Sequence, residues 1–366
     1  MTTETRLRPT IATPEELSGR LFESTIAGME VFSIYLGEQL GLYKALAANG
    51  GMTAPRLAEA IGIHPRYARE LLEQQTTAGF ITVDDVSAPA DERRYRLPAG
   101  YELVLIDSES PLYVAPVGRF IAGIIRQAPQ LLEAFRTGGG VSWEQYGDEA
   151  RTGQADFNRP FFLTSLVPDY LTQVWGVDDA LRRPGARAAE IGFGGGWAMI
   201  ALAQAFSGLT VDGYDIDLPS VEMANRNISE AGLSDRVRAH HRDAGDPAIE
   251  GQYDLVCAFE CVHDMPDPVS VLKTMGRLAK ADGTIIVVDE RVAEEFGNIG
   301  DPVERMLYCF SLMVCLPDGM STQPSKATGT VMRPSTFRGY ALEAGFRDVE
   351  WLPLEHDLFR FYRLVR

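Results

Sequence analysis

The sequence predicts an α/β fold: a parallel sheet with helices on both faces and an antiparallel C-terminal edge, preceded by a smaller, mainly helical domain. Three observations carry this. From Ala188 onward, strand-like and helix-like segments alternate, as crossover connections between parallel strands require. The last two strand-like segments, DVEWLPL and RFYRLVR, follow each other with no helix between them, so they close the sheet as an antiparallel edge. Upstream, residues 53–97 read as helix, turn, helix, hairpin.

In chain order, residues 1–14 are polar and rich in Pro and Thr, and are expected to form a flexible arm. From Glu15 to about Ala47 apolar residues recur at helical spacing, among them Leu17, Leu21, Ile26, Met29, Phe32, Leu36 and Leu40. That stripe is wide for a surface helix and implies burial in a core or a subunit interface. Thr53 and Gly62 bracket the helix APRLAEAIG, while Pro65 and Gly79 bracket the next. FITVDD and RRYRLP then pair around a polar loop, completing a winged-helix arrangement over 15–100. Residues 101–180 read as a helical linker that also serves a substrate pocket, with Phe157, Phe161, Phe162, Tyr170 and Trp175 as its aromatic face. Arg183-Pro184-Gly185 breaks the pattern and opens the catalytic domain, 181–366. There AAEIGF, LTVDGYDID, VRAHHRD, YDLVCAFEC and TIIVVDE are the parallel strands. GWAMIALAQAF, SVEMANRNISEAG and PVSVLKTMGRLAK are the helices between them, and PSTFRGYALEAGF precedes the closing edge.

Composition narrows the function. Apolar residues make up 45% of the 366, a globular value, and the formal net charge is −17. An acidic chain repels nucleic acid and anionic membrane surfaces, so neither is an expected partner. The four cysteines (257, 261, 309 and 315) have neither zinc-ribbon spacing nor the density of a disulfide scaffold. No signal-like apolar core or run of about 18 apolar residues is present, so a soluble, cytoplasmic protein is expected.

The strongest chemical signal is Glu190-Ile191-Gly192-Phe193-Gly194-Gly195-Gly196, between a strand and a helix. Its glycines permit a tight turn and close approach of a ligand to the backbone. The spacing differs from a dinucleotide G-x-G-x-x-G, because a carboxylate stands two positions before the first glycine. A pyrophosphate would be repelled there, whereas the ammonium of S-adenosylmethionine (SAM) fits. Asp215 and Asp217 follow at the end of the second strand, where either can hold ribose hydroxyls. Asp243 ends the third strand, where a carboxylate can meet an adenine amine. Ala244 beside it and Phe259 on the fourth strand complete the candidate cofactor set.

These segments resemble the class I SAM-dependent methyltransferases over 187–290. With the upstream domain, residues 20–366 resemble the caffeate and flavonoid O-methyltransferases and their bacterial relatives, through EIGFGGG, DIDLPSV, HRDAGD, ECVHDMPDPVSVL and EAGF. The resemblance implies a Rossmann-like SAM-binding domain, a winged-helix dimerisation domain, a homodimer and a methyl acceptor that is usually a phenol.

His263 in Glu260-Cys261-Val262-His263-Asp264-Met265 stands where the family's base lies, just past the fourth strand. An imidazole there can take a phenolic proton as the methyl moves. In the plant-type motif the third residue is tryptophan; here it is Met265. The family orients its base with acids from later strands. Asp289, with Glu290 beside it, matches one. The second would fall in 301–334, where the sequence departs from the pattern, with Glu304 as a substitute. Asp264 joins His263 and Asp289 in the candidate catalytic set. The same segment carries Tyr308 and Met313, which with Phe162 are the candidate acceptor contacts; no metal ligand is assigned.

Three other readings stay open. One is a DNA-binding regulator using Arg66, Arg69, Arg93 and Arg94 of the winged helix. Another is carbon or nitrogen methylation, with metal assistance at His263 and Asp264. The third is SAM binding without methyl transfer.

Overall fold

The computed structural model describes residues 12–297 and 299–366. The arm expected over 1–14 lies outside them up to residue 11. The chain divides into two compact units, 1–122 and 123–366.

The first unit holds α1 (Pro14–Leu40), α2 (Leu42–Asn49), α3 (Ala54–Ile61), α4 (Pro65–Thr77), the two-stranded hairpin β1 (Thr82–Val83) and β2 (Tyr95–Arg96), and α5 (Glu102–Leu105). Local chemistry sets the helix starts. Thr13 caps α1 in a reciprocal capping box with Glu16, and Pro65 occupies the first turn of α4. Leu42, Tyr43, Leu46, Leu57, Leu72, Ile81 and Tyr95 form a core around this winged helix. Inside it, the Tyr43 hydroxyl donates to the fully buried Gln75 (2.6 Å). The wide apolar stripe of α1 is not covered by the described residues: Phe22 is 66% exposed, Met29 65% and Leu21 61%. Three of the four arginines of a DNA-reading surface are engaged with acids of the same unit, Arg66 with Glu70, Arg93 with Glu73 and Arg69 with Asp91.

The unit boundary falls inside α6 (Pro116–Arg126). The second unit continues with α7 (Ala128–Thr137) and α8 (Trp143–Pro160). The latter runs into a wide-wound helical stretch, Phe161–Tyr170, and α9 (Val177–Leu181) follows. The sheet strands are β3 (Arg187–Ile191), β4 (Thr210–Asp215), β5 (Val237–His241), β6 (Tyr253–Phe259), β7 (Ala279–Glu290), β8 (Asp348–Trp351) and β9 (Phe359–Val365). Between them lie α10 (Trp197–Ala205), α11 (Leu218–Glu230), α12 (Pro268–Leu278), α13 (Pro302–Phe310), α14 (Leu316–Ser321) and α15 (Pro334–Glu343). The strand order is β5-β4-β3-β6-β7-β9-β8; all pairs are parallel up to β7, and β9 and β8 are antiparallel.

Alternation along the strands divides the core. Ala188, Val211, Leu255, Cys257 and Ile286 face one layer of helices, while Ala189, Ile191, Val256, Ala258 and Val287 face the other. α10 is buried from Ala198 to Ala203, consistent with its unbroken apolar sequence. β7 starts five residues earlier than TIIVVDE, at Ala279, because the ladder with β6 jumps from Tyr253↔Ala279 to Leu255↔Thr284. Lys280 steadies that irregularity by ion pairing with Asp254 (2.8 Å). The direction of strand addition reverses between β3 and β6, and at such a reversal a crevice opens beyond the strand C-termini. Among the described residues no helix is long and apolar enough to cross a membrane.

Candidate active site

A cavity of about 800 Å³ lies at this crevice. Eight positions expected to serve a cofactor line it together: Glu190, Gly192 and Gly194, then Asp215 and Asp217, and finally Asp243, Ala244 and Phe259. The turn after β3 explains the glycines. Gly192 and Gly194 hold left-handed backbone, at φ 66° and 50°. A Cβ on Gly192 would meet Cys261 Sγ at 2.8 Å, whereas one on Gly194 would meet nothing within 4 Å. The first glycine is therefore required by packing, and the second leaves its surroundings open.

The acids around this turn are differently engaged. Asp215 accepts the Gly194 N–H (2.9 Å) on one oxygen and the Asp217 N–H (2.9 Å) on the other. Burial raises its pKa to about 6, against the pull of these backbone donors. Asp217 caps α11 by accepting from Ser220 N–H (3.0 Å) and also pairs with Arg151 Nε (2.7 Å), whose side chain is 4% exposed. Glu190 is 2% exposed and its Oε2 has no partner. Burial, then the neighbouring Asp215, pushes its pKa well above the usual carboxylate range. A buried carboxyl oxygen with no donor is a cost that a bound cation removes. Trp197 also lines the cavity, and its Nε1 is buried without a partner. Asp243 accepts from the Gly245 N–H (2.7 Å). The set fits the ammonium, ribose and base of SAM.

At the ends of β6 and β7 stands His263, 2% exposed. Its Nδ1 lies 2.7 Å from Asp289 Oδ1 and 2.9 Å from Glu290 Oε2, and its Nε2 lies 3.1 Å from Asp264 Oδ1. Asp264 lines the cavity; His263 sits behind it. Burial disfavours the imidazolium, but the carboxylates of Asp264, Asp289 and Glu290 outweigh it and raise the His263 pKa well above its ordinary value. Donor atoms of His263, Asp264 and Cys315 lie within 4.8 Å of one another, as do those of His263, Asp289 and Glu290. His263 is shared by both groups, and both ring nitrogens face carboxylates. That is the arrangement of an ion-paired imidazolium.

Of the acceptor candidates, Phe162 lines the cavity and packs on Phe259 (centroids 5.9 Å). Tyr308 and Met313 do not line it. α13 buries Glu304 and Leu307; Tyr308, one turn on from Glu304, is 40% exposed and is held with its hydroxyl on Arg333 (2.9 Å). Met313 offers its carbonyl to the Tyr146 hydroxyl (2.7 Å). Glu304 pairs with Arg333 (2.8 Å) and accepts the Ala293 N–H, so it is committed away from His263, and Glu290 takes the second acidic place. Sequence reasoning passed over Glu260, Asn158, Arg151 and Asp318, which all line the cavity. Glu260 alone carried a sequence signal, one position beyond the strand end. The others arrive from helices distant in sequence.

A model of the "Methyltransferase domain" matches residues 189–285, and one of the "Rv2258c-like winged HTH domain" matches 28–106. The mitomycin biosynthesis 6-O-methyltransferase of Streptomyces lavendulae is 29% identical over 315 residues, covering 80% of this chain and 82% of that protein. The 27-O-demethylrifamycin SV methyltransferase of Amycolatopsis mediterranei is 33% identical over 196 residues, 49% of this chain and 72% of that one. Two solved structures share the fold. The mitomycin 7-O-methyltransferase MmcR has a TM-score of 0.70 at 24% identity, covering 96% of this chain and 98% of its own. Human N-acetylserotonin methyltransferase in complex with SAM has 0.69 at 17%, covering 97% and 99%. With its winged helix, its seven-stranded sheet and its glycine turn led by a carboxylate, the chain belongs to the SAM-dependent O-methyltransferases that carry an N-terminal winged-helix domain.

Proposed function

We propose that the protein methylates a phenolic hydroxyl of a small aromatic acceptor, with His263 as the general base. The observation that carries this reading is the imidazole anchored on Asp289 with its other nitrogen turned toward the cavity wall at Asp264. SAM supplies an electrophilic methyl on a sulfonium. The chain's share is to hold the cofactor at Glu190 and the glycine turn, to pack an aromatic acceptor against Phe162 and Phe259, and to take one proton. Asp289 fixes the ring through Nδ1, with the Glu290 carboxyl beside it, leaving Nε2 as the proton-accepting atom. The three carboxylates that stabilise the imidazolium also strengthen it as a base. Positive charge bound in the cavity offsets them and returns the ring toward its neutral form. The names of the relatives, which act on natural products at oxygen, support this class of acceptor.

The expected result for His263→Ala is SAM affinity retained and turnover reduced by about a hundredfold or more. Calorimetry and product mass spectrometry read the two quantities separately. Full activity in the variant ends the role of His263.

The exposed apolar stripe of α1 supports a homodimer formed through the N-terminal unit. A stripe of this size left in water costs solubility, and a second copy covers it symmetrically. Phe22→Asp with Met29→Asp is expected to give a folded monomer by light scattering; a dimer of unchanged mass counts against this interface.

A further inference from the structure

The acceptor side of the cavity is acidic, and one carboxyl there has no role in the chemistry described above. Glu260 follows β6 directly and holds left-handed backbone at φ 52°, a conformation that side-chain-bearing residues rarely adopt. Strain of this kind persists where surrounding structure enforces it and collects at ligand sites. The carboxyl lines the cavity. Asn158 of α8 donates to Oε2 (3.2 Å), while Oε1 is buried with no partner. Two nearby cations are engaged elsewhere. The Arg151 guanidinium is held by Asp217 and Asp148, and His263 faces Asp264, Asp289 and Glu290. Asp264 and Asp318 line the same cavity, and Asp318 already accepts the Trp143 N–H (2.7 Å). Burial raises the Glu260 pKa to about 8, although the imidazolium opposes this. Burial outweighs the imidazolium and the Asn158 donor, and Oε1 keeps no donor of its own.

Glu190 serves the cofactor ammonium, so Glu260 is the orphan oxygen left for the acceptor. We propose that Glu260 is a specificity residue that pairs with a basic nitrogen on the acceptor, making the preferred substrate class amine-bearing phenols. This rests on the phenol-methylation reading and adds the charge of the acceptor to it. A protonated amine would meet Oε1 directly, with Asn158 holding the carboxyl in place. A carboxylate-bearing phenol would add a further negative charge beside Glu260, Asp264 and Asp318 and be rejected.

Three catechols that differ mainly in side-chain charge test this: dopamine, 4-ethylcatechol and 3-(3,4-dihydroxyphenyl)propionate. Binding of each to protein loaded with S-adenosylhomocysteine is measured by calorimetry, for wild type and Glu260→Gln, alongside turnover with SAM. The wild type is expected to bind dopamine at least about tenfold more tightly than 4-ethylcatechol, and the propionate least well. Glu260→Gln keeps size and hydrogen bonding, so it should erase the dopamine preference while leaving 4-ethylcatechol binding unchanged. Equal or weaker binding of dopamine, including no measurable binding of any of the three, overturns the proposal. So does a preference that survives in Glu260→Gln. Discrimination in binding without turnover of any catechol leaves Glu260 its role and overturns the phenol-methylation reading instead.

Discussion

Two buried carboxyls, Glu190 and Asp289, sit at strand ends on either side of β6, and their pKa values move in opposite directions. At the end of β3 and β4, Glu190 has an oxygen without a partner, and burial drives both its pKa and that of Asp215 upward. At the end of β7, Asp289 is equally buried, yet its pKa is lowered, because the His263 imidazolium and hydrogen bonds from its neighbours outweigh burial. The residue type and the strand-end position are the same. What differs is whether the chain supplies the cation. The first group lacks a cation from the chain, while the second has the His263 ring beside it.

Substitutions in the two groups should therefore move different quantities. The largest effect is expected at the cofactor end. Gly194→Trp places an indole in the open space beside a left-handed position, and calorimetry should detect no SAM binding; unchanged affinity would break the assignment of this turn. Glu190→Gln keeps the shape but removes the charge that meets the ammonium. Affinity for SAM should fall by about tenfold to a hundredfold, while turnover at saturating SAM stays close to wild type. A loss of turnover with normal affinity would erase the distinction between the two groups.

The smallest effect is a shift in pH dependence. The carboxylates raise the His263 pKa, so the proton needed for resting charge is lost only at higher pH. If His263 must be neutral to act, activity rises with pH on a limb above the ordinary imidazole value near 6.5. Asp289→Asn removes one of the charges that hold the proton on, so the limb should move to lower pH. A limb that stays in place, or moves upward, separates Asp289 from the titration of the base.

The sequence made one end more legible than the other, for a physical reason. Strand alternation and the glycine turn are local patterns, so β3 through β6, the turn and the acids after each strand could be read in order. The His263 ring and Asp289 were also legible, through the motif and the strand end. The surroundings that decide their chemistry were not. Arg151 reaches Asp217 from α8, 66 residues away, and Asn158 reaches Glu260 over 102. Neither contact leaves a periodic trace. Tyr308 and Met313 show the converse limit. A Met- and aromatic-rich segment announces an apolar helix without saying which side meets the cavity, and α13 turns Glu304 and Leu307 inward instead. Glu260 reads as an ordinary polar residue after a strand, and only its backbone angle and its unpartnered oxygen single it out.

A crystal structure of the protein with S-adenosylhomocysteine tests the central claim most directly. The account predicts the homocysteine amino group within hydrogen-bonding distance of Glu190, the adenosine along the Asp215–Asp243 wall, and the sulfur facing the side of the cavity where Asp264 covers His263. A nucleotide bound elsewhere, or one whose sulfur points away from His263 and Asp264, would contradict it.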